Sequence, residues 1–214
     1  MPRPPSSFSQ TSISAIVLCG GSSRRLGGVD KTRESLAGTT VLDHLLDALP
    51  LGWFVVCVGE ERATTRAVDW CRESPAGGGP VAGIAAGLEH LEHLEHLEPH
   101  ADRDPEIHNA EICVVIGGDM PFAAPALLTL VAALTVQPGL DAVLAVEPDG
   151  RTQPLLAAYR AEALRAALPH EPGGTRLMVV VDALLIGTVE SAAEVTLDVD
   201  TPEALAQARH IVGA

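Results

Sequence analysis

Between positions 20 and 31 the chain reads Gly20-Gly21-Ser22-Ser23-Arg24-Arg25-Leu26-Gly27-Gly28-Val29-Asp30-Lys31. Glycines allow a tight turn and let backbone N–H groups approach an anion closely. The hydroxyls of Ser22 and Ser23 and the cations Arg24, Arg25 and Lys31 add further donors. Together they are what a polyphosphate needs. The segment is not a P-loop, because no Gly-Lys-Ser/Thr follows, and not a dinucleotide fingerprint, because its glycines are adjacent. Lys31 is the single lysine beside 13 arginines. A compact ammonium and a planar guanidinium are not interchangeable. Lys31 therefore marks either a place where arginine will not serve or a chance survivor on the surface.

A second cluster is Gly118-Asp119-Met120-Pro121. A carboxylate there can hold Mg²⁺, a hard cation that takes one or two carboxylates plus phosphate oxygens. The plainer reading has Asp119 capping a helix that starts near Pro125. A third cluster is Leu197-Asp198-Val199-Asp200-Thr201-Pro202. On a short strand, alternation would put Asp198 and Asp200 on one face. They would then offer a second metal ligand or a polar hold on substrate. Alternatively Asp200 simply favours the N-terminus of the helix that follows. Gly77–Gly83, preceded by Glu73, and Gln153-Pro154-Leu155 are weaker features, each with a structural alternative.

The elements that must carry these groups are legible as apolar runs. Ile13–Leu18, Trp53–Val58, Ile112–Ile116 and Ala142–Val146 are rich in Val and Ile and lack polar alternation. Such strands are buried on both faces, as in a parallel sheet. Helices are expected over roughly 39–49, 61–72, 81–98, 125–135 and 160–168. A final one begins at Pro202 with Thr201 as its N-cap. Alternation of strand and helix gives an α/β class with helices on both faces of the sheet. Ligands in such folds bind beyond the carboxyl ends of the strands. The chemical clusters follow the first and third runs there. The repeat Leu88-Glu-His-Leu-Glu-His-Leu-Glu-His-Leu-Glu98 reads as an exposed helix lengthened by slippage. Its competitor, metal binding by His90 and His93 at i,i+3, suffers because His96 turns away around the helix. Pro99 should stop the helix, with a polar loop over 101–110.

With 214 residues, one domain over 12–214 is expected, after a disordered tail over 1–11. The formal net charge of −14 disfavours nonspecific contact with nucleic acid or an anionic membrane. Aromatics, at 3%, are too few for a base-stacking platform. Cys19, Cys57, Cys71 and Cys113 form no CxxC and no zinc spacing, so they read as free thiols in a reducing, cytoplasmic compartment. No secretory h-region and no membrane-length apolar run is present.

Taken together the motifs resemble the molybdenum cofactor guanylyltransferase family. Leu18-Cys-Gly-Gly-Ser-Ser-Arg-Arg-Leu-Gly-Gly-Val-Asp-Lys31 is similar almost position by position to that family's L-A-G-G-x-x-R-R-M-G-G-x-D-K. Its G-P-x-A-G, G-D-x-P and Q-P-L appear in order as Gly79–Gly83, Gly118–Pro121 and Gln153–Leu155. Its N-x-N-T-P-x-x-L appears as Asp198–Leu205, with both asparagines replaced by aspartate. Thr32-Arg33-Glu34-Ser35 stands where the family is mostly apolar. The resemblance implies a three-layer α/β/α Rossmann-like nucleotidyltransferase fold with a mostly parallel sheet. It implies Mg²⁺-dependent transfer of GMP from GTP to the phosphate of molybdopterin, with loss of pyrophosphate. Leu18, Cys19, Gly20, Gly21 and Ser22 would meet the nucleotide. Lys31 and Arg25 would neutralise phosphate charge. Asp119 would hold Mg²⁺, with Asp200 as the second ligand that the residues themselves suggest. Glu73 lies near the family's acidic residue for the nucleotide. A protein that delivers the labile pterin is a possible partner. Alternatives are cytidylyl or other nucleotidyl transfer to a different phosphorylated small molecule, and a degenerate, non-catalytic nucleotide binder. An NAD-dependent dehydrogenase lacks its fingerprint.

Overall fold

The computed structural model describes residues 12–20, 30–96 and 111–213. The expected tail over 1–11, the stop at Pro99 and the loop over 101–110 lie outside them. In chain order the elements are β1 (Ile13–Leu18), β2 (Ser35–Leu36), β3 (Thr39–Thr40), α1 (Val41–Ala48), β4 (Phe54–Val58), β5 (Asp69–Cys71), α2 (Pro80–His96) and β6 (Ile112–Gly117). There follow α3 (Ala124–Thr135), β7 (Ala142–Val146), β8 (Thr152–Arg160), α4 (Ala161–Ala167), α5 (Leu177–Val181), β9 (Ile186–Glu190) and α6 (Pro202–Ile211).

The main sheet has the order β5-β4-β1-β6-β8-β7-β9, and β2 with β3 forms a small separate hairpin. β1 runs parallel to β4 and β6, and β7 parallel to β9, while β8 lies antiparallel between β6 and β7. The start of β8 therefore falls on the same edge as the carboxyl ends of β1, β4, β6 and β7. Alternate strand residues face opposite layers. Val17, Cys57, Val114 and Ile116 pack with Leu42, Leu45 and Leu46 of α1 and Leu127 and Leu130 of α3. Ile16, Val56, Cys113 and Val115 pack with Ile84 and Leu88 of α2, Leu164 of α4 and Val180 of α5. This is the expected three-layer α/β/α arrangement with a mostly parallel sheet.

Helix α2 sits close on β1 because it presents glycine there. A Cβ on Gly87 would lie 2.8 Å from Ile16 Cγ2, and one on Gly83 3.0 Å from Leu18 Cδ2. The repeat continues α2 as far as His96, with His93 exposed and His90 half-buried.

The expected helix over 61–72 is not formed. Residues 61–68 are irregular and 69–71 are β5, parallel to β4. Side chains there hold the backbone elsewhere, as Ser, Thr and Asp do when they compete with helical bonding. Asp43 accepts from Thr65 N at 2.9 Å. Arg66 donates to the carbonyls of Leu49, Pro50 and Trp53 at 3.0, 2.9 and 2.8 Å, closing the C-terminal end of α1. β8 and β9 also went unread. Pro154 sits in a bulge of β8, where the register on β7 jumps from Leu144↔Ala157 to Ala145↔Gln153. Among the described residues, no helix is long and apolar enough to cross a membrane.

Candidate active site

The carboxyl end of β1 is fastened to both neighbouring strands. Leu18 O accepts from Gly118 N at 2.9 Å, and Cys19 N donates to Val58 O at 2.8 Å. Cys19 lies between two glycines: a Cβ on Gly59 would be 3.1 Å from its Cβ, and one on Gly118 would be 3.1 Å from its Sγ. The sulfur contact with Cys57, together with burial, pushes the Cys19 thiol pKa up, in keeping with its place as a packed core side chain. Of the residues expected at the nucleotide, Leu18, Cys19 and Gly20 stand at this edge. Gly21, Ser22 and Arg25 lie outside the described residues.

Lys31 opens a 3-10 turn over Lys31–Arg33 whose N-cap is Asp30. The Asp30 carboxylate accepts from Thr32 N at 3.1 Å, Thr32 Oγ1 at 2.6 Å, Arg33 Nε at 3.2 Å and a terminal nitrogen of Arg62 at 3.1 Å. Burial raises the pKa of Asp30, but the Thr32 and Arg62 contacts outweigh it and hold the carboxyl below its ordinary value. Arg62 also donates to Thr32 Oγ1 and lies 5.3 Å from the centroid of the Trp70 ring. Sequence reasoning missed Arg62. The signal available was its place just past the carboxyl end of β4. The Thr32-Arg33 departure is explained by the same network: a polar turn there is satisfied by Asp30 and Arg62.

Asp119 follows β6. Its Oδ1 occupies the space a Cβ on Gly117 would take, 2.5 Å from that position. It does not cap α3, whose N-cap is Ala123 with no side-chain bond. Asp200 is brought in from the far end of the chain. Val199 N donates to Asp119 O at 2.9 Å, and Val199 is buried with Leu36, Val41, Leu205 and Ala208. Thr201 caps α6 through Ala204 N at 3.1 Å, so Asp200 is free of that duty. The carboxylates of Asp119 and Asp200 converge on Lys31: Nζ lies 2.5 Å from Asp119 Oδ2 and bonds Asp200 Oδ1. The three side chains are 19, 15 and 35% exposed.

The expected strand carrying Asp198 and Asp200 on one face is not present. Residues 197–200 are irregular, and Asp200 N donates to Asp198 O at 3.0 Å, which turns the chain between them. Asp198 is exposed and acts electrostatically on Arg151. Arg151 bonds Glu147 at 2.7 and 3.0 Å, and Gln153 Nε2 donates to the same carboxylate. Glu147, another group sequence reasoning missed, thus anchors two donors where β7 ends and β8 begins. Glu73 Oε1 accepts from Gly77 N at 3.1 Å and lies 3.9 Å from where a Cβ on Gly20 would be. The glycine turn beside it is braced by a segment the motifs did not mark: Gly174 N donates to Gly78 O at 2.8 Å.

Among the described residues, no group of three or more His, Cys, Asp or Glu side chains is gathered for a metal. The Asp119–Asp200 pair nevertheless fits a hard divalent cation that completes its shell with phosphate oxygens and water. Both carboxylates already converge on one cationic atom, and both are partly shielded.

Comparison with known proteins gives the family and the fold. The family described as MobA-like NTP transferase domain matches residues 15–184. A protein of Methanosarcina acetivorans named "probable molybdenum cofactor guanylyltransferase" is 31% identical over 162 residues, 69% of this chain and 64% of the relative. The chain thus spans under two thirds of that relative's length. A "molybdenum cofactor guanylyltransferase" of Bradyrhizobium sp. is 27% identical over 173 residues, covering 77% of this chain and 76% of its own. The crystal structure of molybdopterin-guanine dinucleotide biosynthesis protein A from Archaeoglobus fulgidus superposes with a TM-score of 0.67 at 24% identity, covering 94% of this chain and 98% of that one. At that identity the likeness speaks for the fold.

Proposed function

The chain belongs to the MobA-like NTP transferase domain family, which makes it a nucleotidyltransferase, and from that premise we propose that it transfers GMP from GTP to the phosphate of molybdopterin. The family motifs and the names of the relatives support this reading. The observation that carries it is the meeting of Lys31, Asp119 and Asp200 beside the end of β1, with Glu73 next to Gly20.

A phosphate oxygen of the acceptor would bond to the α-phosphorus of GTP as the α–β bridging bond breaks and pyrophosphate leaves. The attacking phosphate is already ionised, so alignment and charge neutralisation matter more than a general base. Lys31 would turn its ammonium to the phosphates, with Arg25 proposed for the same task. The Cys19 carbonyl and the Gly20 amide would meet the nucleotide at the end of β1, and Glu73 would take a donor from it. Asp119 and Asp200 would hold the divalent cation, proposed as Mg²⁺, which when bound would neutralise charge on the triphosphate oxygens. The edge carrying Gln153, Arg151 and Glu147 is left for the acceptor, handed over by a pterin-delivering protein. The free thiols fit a cytoplasmic setting.

Thermal-shift titration with GTP, CTP, ATP and UTP, each with and without Mg²⁺, tests donor choice. A ligand at about 100 times its Kd stabilises by roughly 2.7 kcal/mol. A Mg²⁺-dependent shift with GTP alone is expected, followed by pyrophosphate release when molybdopterin is added. Lys31→Ala and Asp119→Ala should abolish that release while melting as cooperatively as the parent. A shift with CTP alone would overturn the donor. Binding without release would mark a degenerate binder.

A further inference from the structure

We infer that the ammonium of Lys31 occupies the divalent-cation site of the empty protein, so that metal enters only when a triphosphate draws the lysine away. The inference rests on reading Asp119 and Asp200 as the cation pair. Its ground is that one oxygen of each carboxylate already faces the same ammonium: Asp119 Oδ2, at 2.5 Å, and Asp200 Oδ1 share one nitrogen, where a cation bridging the pair would sit. Among the described residues, Lys31 is the only cation paired with either carboxylate. A divalent ion arriving alone must displace an ammonium that is shielded with its partners.

Both sides of this contact are held at the backbone. The Asp30–Thr32–Arg62 network fixes the turn that carries Lys31. Val199 N on Asp119 O ties the two carboxylate segments to each other. What can move is the four-carbon stem of the lysine. An ammonium on that stem can swing from carboxylates to phosphates, whereas a guanidinium would grip a carboxylate with its rigid fork. This gives a physical reason for a single lysine in a chain with 13 arginines. A triphosphate offers Lys31 a richer set of anionic oxygens. Its departure leaves two unpaired carboxylates, which raises their affinity for the cation that travels with the nucleotide. Metal and nucleotide binding are thereby positively coupled, and each strengthens the other by the same factor.

Mn²⁺ binding to the nucleotide-free protein, read by electron paramagnetic resonance, tests this without GTP or acceptor. Its failure is therefore separable from failure of the proposed reaction. Lys31→Met should bind Mn²⁺ at least tenfold more tightly than the parent, and Lys31→Arg should stay weak. Equal or weaker binding by Lys31→Met would overturn the inference. If that variant does not fold, the parent decides. Labelled with ¹⁵N-lysine, it gives one side-chain ammonium resonance. That signal should shift in Asp200→Asn and on adding Mg²⁺ with tripolyphosphate, but not on adding Mg²⁺ alone. A signal that Mg²⁺ alone moves as far, or that ignores Asp200→Asn, would overturn it.

Discussion

Gly117→Ala separates the placing of Asp119 from the stability of the sheet. The added Cβ would lie 2.5 Å from Asp119 Oδ1, where ordinary contact begins at 3.4 Å, so the carboxylate must retreat by about 0.9 Å. The obstructing atom is the end of a side chain, which rotates at little cost. Gly117 also has an ordinary φ, and replacing such a glycine removes unfolded-state freedom, a gain of about 0.4–1 kcal/mol. Stability should therefore stay within about 1 kcal/mol of the parent. Turnover should not, because a displacement near 1 Å in a reacting constellation costs on the order of 100-fold. The assay is steady-state pyrophosphate release beside a denaturant melt. Gly118→Ala is the contrast: its Cβ would meet Cys19 Sγ at 3.1 Å and the Leu18 carbonyl oxygen at 3.3 Å, where backbone must give. It should lose stability first. Parental turnover in Gly117→Ala would refute the placing of Asp119 in the site. A melt as damaged as that of Gly118→Ala would refute the claim that the contact is soft.

Gly87→Ala should cost about 1–3 kcal/mol in a urea melt, because its Cβ would fall 2.8 Å from the buried Ile16. The sign is informative, since glycine to alanine in a free helix gains about 1 kcal/mol. A stabilised variant would mean that α2 does not lie on β1. Of the thiols, burial pushes Cys71 up to about 11 and Cys113 up to about 12. At pH 8 a disulfide reagent should reach half-buried Cys71 slowly and Cys113 only after unfolding; fast native labelling of Cys113 would contradict its place in the core. The depressed pKa of Asp30 gives stability that is present above its unfolded value of 3.8 and lost as pH falls through the lower folded value. The stability gap between parent and Asp30→Asn should accordingly close below about pH 3.8, and a gap that widens there would reverse the sign.

Much of this was legible because local chemistry and tertiary position agreed. Ile13–Leu18 and Ala142–Val146 read as strands from composition alone, since a buried strand has to be apolar on both faces. Asp119 stood out because it directly follows such a run, and Lys31 because it is the single lysine, set in the glycine-rich loop after another. The segment 61–72 misled because its composition tolerates a helix, while Asp43 and the carbonyls at the end of α1 claim its side chains. Those partners are visible only once α1 is in place. β8 was hidden by Pro154, which argues against a strand unless a bulge is known to receive it. β9 was hidden by its exposure at the sheet edge, where alternating burial weakens the apolar signal. The pairing of Asp198 with Asp200 failed for a related reason: alternation holds only if the segment is extended, and the bond from Asp200 N to Asp198 O bends it.

The site depends on a piece of chain that the family match does not reach. The match ends at residue 184, and Asp200 lies beyond it. Asp200 meets Lys31 because Val199 is buried between the β2–β3 hairpin, α1 and α6, among Leu36, Val41, Leu205 and Ala208. The same hairpin begins two residues after the turn that carries Lys31, and Arg209 of α6 donates to Ser35 O at 3.0 Å. One small apolar cluster thus sets the lysine turn and the second carboxylate relative to each other, while the main sheet sets Asp119. In a chain of net charge −14 that division has an electrostatic consequence. The carboxylates that would hold a cation are kept from repelling each other, and from repelling an incoming polyphosphate, by a single ammonium placed between them. Neither the sheet nor the cluster could arrange that alone.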